Sequence, residues 1–215
     1  MPHQPPSKRY EDLPPSMRYL RKDYTPDSTF HVYNRGRHRQ LIFLDDHDRR
    51  AFLACFSRQL VATGDIQSEG RSVKSLENEV SVISYCLMPN HFHLLIHQST
   101  QFGLKHLMRS AMISYGMYFN HRHGRIGRLF VDRFKAVKVT SPKQLRSTIA
   151  YIHLNPETPF DDRWTSHRLY MRGDRERDGN WCAVDQGIRA FGGRGAYLEE
   201  MHAKLAKREQ GRPEL

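Results

Sequence analysis

The 215-residue sequence predicts an α+β fold of the split βαβ kind: an antiparallel sheet with helices on one face, then a further helix and a small helical extension. Three observations carry this. Segments 28–34, 80–87, 91–97 and 134–140 are short, apolar and largely alternating, the pattern of half-buried strands. Between the first and second, and again between the third and fourth, apolar residues recur three and four apart, as on one face of a helix. Met88-Pro89-Asn90 joins the middle two strands as a tight turn, which makes them a hairpin.

Residues 1–27 are rich in Pro, Lys, Arg and Tyr without a sustained period and read as a flexible basic arm. Ser28 to Asn34 forms the first strand, with Arg35-Gly36 as its exit. Asp45, Asp46 and Asp48 precede Phe52, Leu53, Phe56 and Leu60, so acids that complement a helix dipole open a first helix. Residues 63–79 are polar, carry two glycines, and read as a loop or insertion. The hairpin follows, and its second arm opens with His91. Leu104, Leu107, Met108, Ala111, Met112, Tyr115 and Phe119 keep helical spacing, and 122–128 is a basic loop. After the strand at 134–140, Ser141-Pro142-Lys143-Gln144 supplies an N-cap, a proline at the first helical position and a glutamine three residues beyond the cap. That helix runs to about Leu154, because Pro156 biases Asn155 out of helical geometry. The order β-α-β-β-α-β is that of ferredoxin-like folds. The expected domain thus spans 28–156, with 157–215 as a mostly helical extension that ends in a frayed tail containing Arg212.

The chain has 34 Lys or Arg against 23 Asp or Glu, a net charge of +11 that favours a polyanionic partner such as nucleic acid. No apolar run reaches the roughly 18 residues of a spanning helix, so no membrane role is expected. Cys55, Cys86 and Cys182 form no Cys-x-x-Cys pair, which argues against a disulfide framework or zinc ribbon and for a reducing cytoplasm.

His91-Phe92-His93 carries the chemistry. On a strand the two imidazoles share one face and can hold a divalent ion, while Phe92 faces a core. On the helix after Ser141, Tyr151 and Asn155 stand one turn apart on a face of their own. For a helical tyrosine alone, half-buried packing is the ordinary role. Together with a His-x-His strand the set suits phosphoryl transfer: His91, His93 and the Asn155 amide oxygen as metal ligands, Tyr151 as nucleophile. Among the other tyrosines, Tyr115 continues an apolar stripe and Tyr85 has no ligand near it in sequence. Between Gly103 and Arg146 ten Lys or Arg face one acid, Asp132, and aromatic residues interleave them. Arg122, His123, Arg125, Arg128, Arg133, Lys135, Lys138 and Tyr118 are therefore expected to line a DNA groove with stacking platforms.

The blocks Tyr33-Asn34-Arg35-Gly36, Met88 to Leu95, Tyr118 to Gly124, Arg133-Phe134-Lys135 and Tyr151 to Pro156 resemble the signature blocks of single-tyrosine HUH transposases. Within that family they are most similar to REP-associated tyrosine transposases of bacteria. The resemblance covers about residues 28 to 170. It implies a single-stranded DNA endonuclease and strand transferase that cleaves near hairpins through a covalent phosphotyrosine at Tyr151. It also implies Mg²⁺ or Mn²⁺ held by His91 and His93, and a place on the nucleoid. Asn155 stands where the wider superfamily usually has a glutamine ligand. Relatives act as homodimers or as monomers. Two other readings remain open: a domesticated hairpin-DNA-binding protein with little or no catalysis, and a zinc hydrolase, for which no acidic general base is evident.

Overall fold

The computed structural model describes residues 24–61, 66–68, 71–73, 75–156, 158, 163–172 and 181–210. Most of the expected basic arm and the tail beyond Gln210, Arg212 included, lie outside the described residues. The strands are β1 (Ser28–Arg35), β2 (Ile66–Ser68), β3 (Arg71–Val73), β4 (Val80–Met88), β5 (His91–Gln98) and β6 (Lys135–Val139). The helices are α1 (Asp46–Leu60), α2 (Gly103–Arg122), α3 (Pro142–His153), α4 (His167–Arg172), α5 (Val184–Phe191) and α6 (Arg194–Gln210). The large sheet has the order β4-β5-β1-β6 with every neighbouring pair antiparallel, the ferredoxin-like arrangement. The polar stretch expected as a loop instead contains a second, two-stranded sheet, β2-β3. Strands this short have too little periodicity to read.

Strand alternation sorts the core into two layers. Phe92, Leu94 and Ile96 of β5 face α1 and α2, packing with Phe52, Phe56, Leu107, Ala111 and Tyr115. Leu95, on the other face, packs with Ile149, Ala150 and Ile152 of α3 and with Phe191, Tyr197 and Met201 of α5 and α6. The sheet is thus covered on both sides, the crossover helices on one and α3 with the C-terminal helices on the other. A register shift between Val82 and Ser84 adds a residue to β4. It keeps Tyr85 and Leu87 on the same side as Val80 and Val82. The outer edge of β4 is closed by single bridges to Thr165 and Cys182.

Local capping sets the helix carrying Tyr151. Ser141 Oγ accepts from the Gln144 N–H at 3.2 Å, and Pro142 occupies the first turn. The Gln144 side chain reaches back one residue further than a capping box requires, its Oε1 accepting from the Thr140 N–H at 2.8 Å. At the other end the Arg208 guanidinium of α6 donates to the carbonyls of Leu154 and Pro156. A cation there answers the negative end of the helix dipole and satisfies terminal carbonyls. Among the described residues no helix is long and apolar enough to cross a membrane.

Candidate active site

The same alternation that sends Phe92 into the core turns His91 and His93 toward α3. The α3 stripe of Ile149 and Ile152 packs onto the sheet and leaves Tyr151 beside the histidines, 51% exposed. Its ring centroid stands 5.4 Å from that of His93, nearly perpendicular to it. Asn155, one turn on, lines the same cleft as Tyr151, and its amide is near enough to both Tyr151 and His91 to bear on their titration. Strand and helix thus bring His91, His93, Tyr151 and Asn155 into one cluster. Desolvation raises the Tyr151 phenol above its ordinary value, and the Asn155 amide opposes that rise.

Two neighbours escaped sequence reasoning. His31 of β1 lies 2.9 Å, Nε2 to Nδ1, from His93, and its ring is 5.7 Å from that of Tyr151. Asn90 Oδ1 lies 2.7 Å from His91 Nδ1. When His91 and His93 donate their Nδ1–H to these acceptors, each keeps an Nε2 lone pair free for an ion. Burial pushes His31 down to about 4 and His93 well below the ordinary histidine range, so the imidazoles are neutral, the state in which they ligate. His91 is also lowered, by desolvation first and by the Arg35 charge, against the opposing effect of the Asn155 amide. The signal for His31 was the alternation His31-x-Tyr33-x-Arg35, but its value depends on the β1–β5 register, in which Tyr33 pairs with His93 and Arg35 with His91.

Among the described residues no group of three or more His, Cys, Asp or Glu has the geometry of a metal cage. The donors here are two neutral imidazoles and an amide, beside an open cleft of about 440 Å³ lined by Ser147, Tyr151, Leu154, Asn155, Lys204 and Arg208. A small neutral nitrogen and oxygen set on one side, with an open side for further oxygens, fits a divalent ion that keeps water or phosphate ligands. The α6 cations at this cleft carried no sequence signal, since they lie some fifty residues beyond Tyr151 and only the tertiary fold returns them.

The expected DNA groove does not form one surface. Lys135 pairs with Tyr33 and so shares the histidine face, and burial together with the Arg35 charge lowers its ammonium. Lys138 pairs with Phe30, which faces the opposite core, and its Nζ donates to Thr25 Oγ1 at 2.7 Å. Arg122, His123 and Tyr118 are corrected more strongly, because all three close on Asp48 at the junction of α1 and α2, on the far side of the sheet. Arg122 Nη1 is 2.5 Å from Asp48 Oδ1 and its Nη2 is 2.7 Å from Asp45 Oδ2; His123 Nε2 and Tyr118 Oη lie 3.0 and 3.3 Å from Asp48. Asp48 is fully buried, and a buried carboxylate without such partners would be costly. Arg125 binds Gln40 Oε1 at 2.5 Å and stacks over Phe119, while Arg128 and Arg133 are exposed.

Residues 49–155 match the family model described as IS200-like transposase. The chain belongs to this family. The matched stretch of the IS200-like transposase ends on Asn155 and contains His91, His93 and Tyr151; His31, Arg35 and α6 lie outside it. A solved structure described as a REP-associated tyrosine transposase bound to a REP hairpin shares the fold, with a TM-score of 0.51 and 17% identity. The likeness covers 73% of this chain and 87% of that one. No curated protein sequence matches the chain.

Proposed function

We propose that this transposase is a divalent-metal-dependent endonuclease and strand transferase acting on single-stranded DNA beside hairpins. The observation that carries the reading is the convergence of His91, His93 and Tyr151 on one face of the sheet, with the Tyr151 ring 5.4 Å from that of His93 and lining the open cleft together with Asn155. A relative with this fold is described as bound to a REP hairpin, which supports hairpin DNA as the substrate class.

His91, His93 and Asn155 would hold Mg²⁺ or Mn²⁺, which when bound draws charge from the scissile phosphate. The chain's own residues do the rest. Tyr151 presents its oxygen to phosphorus; the new P–O bond forms as the bond to one sugar oxygen breaks, the phenol proton leaves to water, and the departing sugar oxygen takes up a proton. The ester keeps the phosphoryl bond, so attack by another DNA hydroxyl reverses the step and releases Tyr151 without an external energy source. Lys135 and Arg35 on the same face, and Lys204 and Arg208 across the cleft, supply positive charge for the phosphates that flank the reacting one.

Incubating the protein with hairpin-flanked single-stranded DNA and Mn²⁺, then resolving products on denaturing gels, tests this. Cleavage with a covalent protein–DNA adduct is expected, and Tyr151→Phe abolishes both. An adduct that survives Tyr151→Phe, or hairpin binding unaffected by EDTA with no cleavage, refutes the catalytic assignment.

A further inference from the structure

Beyond the histidine cluster, the segment leaving β1 forms a second concavity of about 520 Å³, lined by Arg35, Arg37, His38, Arg39, Val131 and Asp132. The arginines and His38 are exposed, and Asp132 is the single acid among the lining residues. The backbone beneath them is unusual. His38 and Arg39 are consecutive non-glycine residues with φ of 52° and 59°, in the left-handed region that side chains disfavour.

This conformation is held from several sides. Gly36 N–H donates to Asn90 O at 2.8 Å, Arg37 N–H to Leu129 O at 3.0 Å, and the Gln40 side chain to Leu129 O at 2.7 Å. Pro89 O accepts from both Ile42 and Phe43. The loop is therefore a fixed platform resting on the same Pro89-Asn90 turn that leads into His91. Three exposed arginines held on one fixed segment around a shared concavity make a positive potential that attracts a polyanion. Arg35 connects the two places: it lines this concavity and is the register partner of His91.

We propose that the Arg35–Arg39 concavity binds the phosphodiester backbone of the single strand that continues away from the His91–Tyr151 site. The inference rests on the reading of DNA as the substrate and adds to it where the strand runs. A strand with one phosphate at Tyr151 passes Arg35 before it reaches Arg37 and Arg39, so the pocket takes backbone phosphates next to the cleavage point, without reading bases.

The test uses the Tyr151→Phe protein in EDTA, so that binding is measured apart from cleavage. Arg37→Gln and Arg39→Gln are added together, and Arg35 is left in place because it adjoins His91. Fluorescence anisotropy follows a labelled unstructured single strand, and separately a blunt hairpin with no single-stranded flank, between roughly 50 and 200 mM salt. For two lost phosphate contacts the single-strand salt slope falls in magnitude by about 1.4, at about 0.7 per contact, while the blunt hairpin keeps its affinity. Thermal unfolding checks that the pair of substitutions leaves the fold intact; where it does not, Arg37→Gln alone carries the test with half the slope change. Unchanged slope and affinity on the single strand overturn the proposal, as does an equal loss on the blunt hairpin, which would place the pocket on duplex DNA. Failure of the wild-type protein to form an adduct would remove the catalytic reading and leave this result standing.

Discussion

His31 Nε2 and His93 Nδ1 share a hydrogen bond of 2.9 Å between β1 and β5, directly beside the Tyr151 ring. Both rings are neutral, so one proton between the two nitrogens decides which tautomer His93 adopts. With His31 as acceptor, His93 turns an Nε2 lone pair outward. His31 is in this sense a positioning residue. His31→Phe keeps a ring of similar size and removes the acceptor, leaving the inner His93 nitrogen without its partner. Mn²⁺ affinity, read by isothermal titration with no DNA present, is expected to fall about 10- to 100-fold. An unchanged affinity would show that the pair serves packing alone.

Asp48 gives a pH dependence with a definite sign. Burial alone raises its carboxyl, but hydrogen bonds from the Leu44 N–H, His123 and Arg122 together hold it below the ordinary range. A carboxyl depressed on folding contributes stability that is fully present above its unfolded value of about 3.9 and is lost as pH falls through the lower folded value. Asp48→Asn removes the charge that Arg122 and His123 face, and should cost about 2 kcal/mol at neutral pH. A chain of this size then melts about 4–8 °C lower. Below about pH 4 the melting temperature of the variant should fall less steeply than that of the unsubstituted protein, because one depressed carboxyl is gone.

A second pH dependence lies behind α3. His153 is fully buried, with Nε2 2.7 Å from Ser166 Oγ and Nδ1 2.8 Å from Tyr197 Oη, which in turn meets His167 Nδ1 at 2.5 Å. Burial pushes His153 well below the ordinary histidine value and His167 down to about 4. Here the unfolded chain binds protons that the folded one refuses, so stability is complete above about pH 6.5 and declines below it, by about 1.4 kcal/mol per pH unit for each histidine. Urea unfolding at about pH 7 and about pH 5 should show that loss, and His153→Gln should flatten it by one proton's worth. A slope identical in the variant would mean that other groups carry the acid sensitivity.

What the sequence revealed and what it hid follow from the range of the interactions. The strands, α1, α2 and α3 were legible because alternation, helical spacing and the Ser141-Pro142 start are local signals. The pairing of His91 with His93 and of Tyr151 with Asn155 was legible for the same reason, since each pair sits within a single element. His31 and Arg35 were not, because their place beside the histidines depends on the β1–β5 register, a contact some sixty residues long in sequence. The basic stretch from Arg122 to Lys138 misled because charge counted along the chain says nothing about which side of the sheet a residue occupies. Arg122 and His123 end on the side of α1, where Asp45 and Asp48 serve both the helix dipole and these cations, Asp45 also capping α1 by accepting from the Asp48 N–H at 3.0 Å.

Gly36 offers a way to disturb the cationic loop without touching a charge. A Cβ there would stand 2.1 Å from the Gln40 carbonyl oxygen and 2.9 Å from Ile42 Cγ2, and the first is backbone that cannot swing aside. The φ of Gly36 is an ordinary −62°, so the requirement is for space and not for a left-handed backbone. Gly36→Ala must therefore open the tight turn in which Arg39 N–H reaches Gly36 O and Gln40 N–H reaches Arg37 O. Crowding of this kind costs about 1–3 kcal/mol. Faster amide hydrogen exchange at Arg39 and Gln40, with the β5 amides unchanged, would locate the damage to the loop. Single-strand affinity should drop as well, although every arginine is still present, because convergence of the cations, and not their number, makes the pocket. Should affinity hold while exchange accelerates, simple charge density would suffice and the geometry of the loop would be irrelevant to binding.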